Sequence, residues 1–148
     1  MQVMNTLFGA GMTSKLFMQV REKRSLCYSI GSGYYGSKGI LTVSAGIDFD
    51  KEPQVREQIL CQLQACRNGD ITPEELTAAK EAILSGLRGV YDSPGSIEGY
   101  ETTAAIGGLI FSVEQYRKAV EQVTVQQVAD AAKTLTLRTS YFLKGVEA

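Results

Sequence analysis

The sequence predicts an α+β protein, a two-layer α/β sandwich in which an antiparallel sheet carries helices packed on one face. Three observations carry this expectation. From Leu26 to Asp50 the apolar spacing leaves helical periodicity for near alternation of Tyr, Ile, Val, Thr and Ser. Thr72-Pro73-Glu74-Glu75 then joins a cap residue, a proline at the first helical position and a glutamate at the third, and helical stripes follow. Thr139 to Val146 is β-rich again and reads as a closing strand. The order helix, hairpin, several helices, strand suits helices layered on an antiparallel sheet.

The elements follow in order. Gly9, Gly11 and Thr13 interrupt an apolar opening, and Ser14 can cap a helix from Lys15 to about Lys23 with Leu16, Phe17 and Val20 as its buried stripe. Gly36-Ser37-Lys38-Gly39 sits where the hairpin must turn. Asp50 or the following Lys51 to Pro53 opens a second helix, with Val55, Ile59, Leu63 and Cys66 on one face and Gly69 as its stop. Leu76, Ala79, Ile83, Leu87 and Val90 give the third helix a continuous stripe that ends near Tyr91, before Asp92-Ser93-Pro94-Gly95. Ser96 is the expected cap of a fourth helix reaching Ile106. Ser112 and Thr124, each followed three residues later by glutamine, start two shorter helices. One strand pair plus a late strand makes a narrow sheet for so many helices. The expectation is therefore that more strands lie outside residues 1–148, and that these residues are a single domain or a partial domain within a larger polypeptide.

Composition narrows the chemistry. The 148 residues are 44% hydrophobic and can bury a core. A net charge of −1, from 15 basic and 16 acidic residues spread along the chain, leaves no basic face for nucleic acid. No apolar run has the length of a membrane span, and Met1 to Lys15 lacks the apolar core of a signal peptide, so no membrane partner and a cytoplasmic location are expected. Cys27, Cys61 and Cys66 are an odd set, which suits reduced thiols. Cys61 and Cys66 fall about 140° apart around a helix and cannot easily grip one metal. The chain has no histidine. That removes any HxxEH-type zinc site, and with it the Ser-His-Asp and Cys-His arrangements that need an imidazole base.

Among candidate sites, FGAGMTSKL lacks the spacing of a phosphate loop and reads as a turn before a helix, while Asp48, Asp50 and Glu52 lack the remainder of a calcium loop. The informative stretch is Arg21 to Tyr35, REKRSLCYSIGSGYY, where a basic helix end runs without a linker into a tyrosine-bearing strand. An arginine on the last helical turn and a tyrosine on the following strand can converge, offering a guanidinium fork and a phenol to a peptide carbonyl. The alternative is a solvated helix end whose positive charge suits the helix dipole.

The segment LFGAGMTSKLFMQVREKRSLCYSIGSGY resembles the C-terminal-domain signature of the insulinase-like, or pitrilysin-like, zinc metallopeptidase family (M16). Gly9 to Gly11 matches its glycine turn, Ser14 to Phe17 its Ser-x-Leu-Phe helix, and Arg21 to Ser29 its Arg-Glu-Lys-x-Gly-Leu-x-Tyr-Ser block. DSPGSIEGY, VTVQQVADAAKTL and TSYFLKG are similar to the family's domain ending, and TLRTSYFLKG is particularly like zinc-free bacterial subunits. Ser25 stands where glycine is common and Cys27 where a small residue such as alanine is usual.

The resemblance implies two related halves around a chamber, one carrying zinc on an HxxEH helix and the other contributing an arginine and a tyrosine that hold the substrate backbone. By position Arg21 and Tyr28 are that pair, seven residues apart. The expectation is a non-catalytic, substrate-binding C-terminal portion of such a peptidase. Its expected partners are a peptide substrate and a complementary N-terminal domain or subunit, with no cofactor in this chain and zinc in the complementary half. Alone it would be inactive. The rival expectation is a catalytically dead structural or scaffolding homologue.

Overall fold

The computed structural model describes residues 1–108 and 112–145. Helix α1 (Gln2–Phe8) is followed by a π-helix (Phe17–Glu22) and by an antiparallel hairpin, β1 (Ser29–Tyr35) and β2 (Ile40–Gly46). Helices α2 (Glu52–Asn68), α3 (Pro73–Arg88), α4 (Pro94–Ile106), α5 (Val113–Glu121) and α6 (Val125–Lys133) follow, with short 3-10 turns at Gly36–Lys38, Phe49–Lys51 and Gly89–Asp92, giving a helix-dominated α+β fold.

Helix α1 lies at the centre. Val3 through Phe8 are all buried, as a helix enclosed on every side requires. It touches β1 and is packed against α2, α3 and α6. The hairpin supplies the other wall of the core. Register pairs Ser29 with Gly46 and Tyr35 with Ile40, so Ile30, Leu41, Val43 and Ala45 share the face packed on the core, while Thr42 and Ser44 point outward. The turn falls at Gly36–Lys38, and Gly39 closes it in the left-handed region with φ +62°.

Gly9 fixes the approach of α1 to β1. Its carbonyl accepts from the Ser32 N–H at 3.0 Å, and Asn5 Oδ1 accepts from Ser32 Oγ at 2.8 Å. A Cβ on Gly9 would lie 2.5 Å from Ser32 Oγ and 2.8 Å from Leu16 Cδ1, too close for either neighbour. The glycine turn therefore serves close packing.

The helical stripes match the sequence expectation except at the end of the third, where α3 stops at Arg88 and Val90 falls in a 3-10 turn over Gly89–Asp92. Val55, Leu63 and Cys66 of α2 are buried, as are Ala79 and Leu87 of α3, and Ile59, Leu76 and Ile83 pack beside them. Gly69 closes α2 in the left-handed region at φ +79°. Thr72 and Glu75 form the capping box of α3, and Ser112 with Gln115 and Thr124 with Gln127 do the same for α5 and α6. The buried Lys15 ammonium meets both oxygens of Glu75 at 2.8 Å, tying the segment before the π-helix to the start of α3.

Three expectations need correction. The helix from Lys15 is π-wound through Phe17–Glu22, with the Lys23 N–H bonded to the Met18 carbonyl five residues back at 3.1 Å. Helix α4 starts at Pro94 with Ser93, not Ser96, as its cap, because proline occupies the first turn where no N–H is needed. The closing strand is absent: Thr139 to Gly145 has no regular structure, and Val146 lies outside the described residues. The sheet has two strands rather than three among the described residues. A strand exists only through backbone pairing with a neighbour, and this tail is instead held by side chains. Phe142 meets Phe49 edge-on with ring centroids 6.4 Å apart, and Lys144 Nζ lies 5.2 Å from the Phe49 ring centre.

Candidate functional site

The candidate site lies where the π-helix passes into β1. Ser14 Oγ accepts from the Phe17 N–H at 3.4 Å, and Leu16 and Val20 are wholly buried, so the inner side of this segment is anchored in the core. Arg21 projects from the last turn with its guanidinium carbon 4.7 Å from the Phe17 ring centre, a cation–π contact that holds the stem without using the donors. Glu22 is 3.8 Å away, a loose and solvent-screened pair.

After Arg21 the chain must reverse quickly to enter β1. Ser25 does this with φ +50°, in the left-handed region, and its N–H bonds to the Arg21 carbonyl at 2.9 Å. Any residue but glycine pays a steric penalty for that φ. The Leu26 N–H returns to the Val20 carbonyl at 3.1 Å, and the Tyr28 N–H to the Gly46 carbonyl at 2.8 Å.

These constraints bring Arg21 and Tyr28 to one open cavity of about 410 Å³, whose wall also includes Glu22, Ser25, Cys27, Asp48 and Lys51. Tyr28 is 68% exposed. Its hydroxyl donates to Asp48 Oδ1 at 2.5 Å, and Lys51 Nζ lies 3.7 Å from Asp48 Oδ2 and 3.4 Å from the Ser25 carbonyl. The hydrogen bond to Asp48, and then that carboxylate's charge, hold the Tyr28 phenol above its ordinary value. Burial raises the Cys27 thiol while the Arg21 charge opposes it.

Asp48 and Lys51 were not legible as parts of a site. The hairpin register that pairs Ser29 with Gly46 brings the residues beyond Gly46 back beside Tyr28. A second cavity of about 440 Å³ opens between the start of α1 and α5–α6, lined by residues such as Met4, Tyr116, Val120 and Val128. Its wall mixes apolar residues with Gln2, Gln122 and Gln127 and gathers no comparable set of charged side chains.

The chain's own residues do not suit zinc. It has no histidine, and among the described residues no group of three or more Cys, Asp or Glu is arranged to hold a metal ion. Cys66 is buried, Cys61 exposed, and all three thiols are free. Among the described residues no helix is long and apolar enough to cross a membrane.

Residues 1–83 match the model of the peptidase M16 inactive domain. The "Probable inactive metalloprotease YmfF" of Bacillus subtilis is 33% identical over 147 residues, which are 99% of this chain and 34% of that protein. A Mycobacterium tuberculosis protein named an uncharacterized zinc protease is 30% identical over 93% of this chain and 32% of its own length. The chain thus spans about a third of the relatives it matches. Among solved structures, a conserved protein from Enterococcus faecalis superposes with a TM-score of 0.83 at 30% identity, over 89% of this chain and 31% of that one. The peptidase M16 inactive domain from Pseudomonas fluorescens gives 0.78 at 20% identity over 92% of this chain and 33% of its own, a likeness of fold. With the family model matched over more than half of its residues, the chain belongs to the peptidase M16 family and carries that family's inactive domain.

Proposed function

We propose that this chain is the substrate-binding, non-catalytic C-terminal portion of an M16-like zinc-dependent peptidase, a partial domain that acts when complemented by a half bearing HxxEH. The observation that carries the reading is the convergence of Arg21 and Tyr28 on one open cavity in a chain without histidine. An extended peptide laid beside β1, which begins just after Tyr28, would gain main-chain hydrogen bonds, with Arg21 and Tyr28 fixing its register. The contribution to catalysis would be positional: Arg21 and Tyr28 would hold the scissile peptide in place, and a zinc ion bound by the other half would supply the hydrolytic chemistry. Three free thiols fit a cytoplasmic home.

The test is Arg21→Ala in the full-length protein with its complementary half. Folding and zinc content should be unchanged and peptide turnover reduced. Unaltered turnover would return Arg21 to a solvated helix end. A second reading, a structural or scaffolding homologue that cleaves nothing, is favoured by the name of the Bacillus subtilis relative. Absence of both zinc and peptidase activity from the complete assembly would select it.

A further inference from the structure

A phenol has one proton to donate and lone pairs with which to accept. In this structure the proton of Tyr28 is already committed to Asp48 Oδ1, and Lys51 stands beside the other oxygen of the same carboxylate. Tyr28 nonetheless remains largely exposed on the cavity it shares with Arg21. The two side chains therefore face a ligand with opposite polarity, since a guanidinium can only donate. A phenol that donates to a carboxylate is also a stronger acceptor, because hydrogen bonds in a chain polarise one another. An extended peptide suits such a pair: each residue turns its N–H and its C=O to the same side, so the edge it offers alternates donor and acceptor.

We propose that Asp48 is a positioning residue that fixes the Tyr28 hydroxyl as a hydrogen-bond acceptor, so that the cavity reads an extended peptide by polarity. Arg21 takes a backbone carbonyl and Tyr28 receives a backbone N–H. The inference rests on the peptide-binding reading and adds a specificity: a ligand residue whose amide lacks its hydrogen, proline included, is disfavoured at the Tyr28 position. The charged groups around the hydroxyl are Asp48, Asp50, Lys51, Arg21 and Glu22.

The test uses the full-length protein with its complementary half and a fluorescein-labelled, proline-free decapeptide of casein. It is compared with versions that each carry one N-methylated backbone amide, and binding is read by stopped-flow anisotropy. One methylated position should weaken binding by about three- to tenfold, the loss of one neutral hydrogen bond. That penalty should vanish in Tyr28→Phe, shrink in Asp48→Ala, where the phenol proton is released, and persist in Arg21→Ala on a lower overall affinity. The Asp48 side chain caps no helix, so the alanine variant should fold normally. Its Tyr28 phenol, followed by tyrosine carbon NMR, should titrate at lower pH than in the parent. If Arg21→Ala weakens binding but no methylated position depends on Tyr28, or the Tyr28 titration ignores Asp48→Ala, the polarity inference falls and peptide binding stands. If neither Arg21→Ala nor Tyr28→Phe alters affinity for the unmodified peptide, the underlying reading falls as well.

Discussion

Removing the Glu75 carboxylate should destabilise the protein far more than removing the lysine it pairs with. Lys15 is only 7% exposed, and its ammonium reaches both Glu75 oxygens at 2.8 Å. Glu75 Oε2 also accepts from the Thr72 N–H at 3.0 Å, so one carboxylate satisfies a buried charge and a helix start. Breaking a buried pair by deleting one partner costs about 3–5 kcal/mol. The Glu75 side chain is a quarter exposed, which places this case near the lower end, about 3 kcal/mol. Loss of its half of the capping box adds about 0.5–1 kcal/mol. Glu75→Ala should therefore lose roughly 3.5–4 kcal/mol. Lys15→Met keeps the buried stem and leaves Glu75, a quarter exposed, still bonded to the Thr72 N–H at the protein edge, so it should cost under about 1.5 kcal/mol. Urea unfolding followed by circular dichroism, at matched m-values, measures both. Equal losses, or a Glu75→Ala loss below about 1 kcal/mol, would refute the claim that the pair ties the segment before the π-helix to the start of α3.

Other expectations concern the same framework. Gly9→Ala should destabilise by about 1–3 kcal/mol, since the added methyl meets Ser32 and Leu16, and a thermal melt will show it. Ser25→Gly should stabilise by about 0.5–1 kcal/mol, the left-handed penalty less glycine's entropy, with the cavity unchanged; a loss of stability would contradict the φ of +50°. Cys66 is wholly buried and its thiol is pushed up to about 11, chiefly by burial, so maleimide at neutral pH should label Cys61 and spare Cys66. Because that folded value lies above the ordinary 9.0, its contribution to stability is complete below pH 9.0 and is lost as the pH rises through about 11.

How much of this was written in the sequence depends on how local each signal is. The capping boxes at Thr72, Ser112 and Thr124 were legible because the cap and its partner lie three residues apart and need no tertiary partner. The hairpin turn was legible for the same reason, with glycine where φ turns positive. The π-winding of Phe17–Glu22 was not, since bonding five residues back reflects how Leu16 and Val20 seat in the core rather than any residue's propensity. The tail carries strand-like residues, but Tyr141 at 81% and Leu143 at 76% exposure show that pattern alone does not supply a neighbouring strand. At the site, Arg21 and Tyr28 were within reach of sequence because both belong to one short block. Asp48, twenty residues from Tyr28, required the hairpin register to be known first.

The central claim, that this chain holds peptide while another half cuts it, is tested most directly by steady-state peptide turnover in the full-length assembly. Wild type and Arg21→Ala should be compared at equal zinc content and equal melting temperature. A charged hydrogen bond is worth about 1.5–3 kcal/mol and each 1.4 kcal/mol is about tenfold, so kcat/KM should fall on the order of ten- to a hundredfold. An unchanged kcat/KM at unchanged zinc content would contradict it.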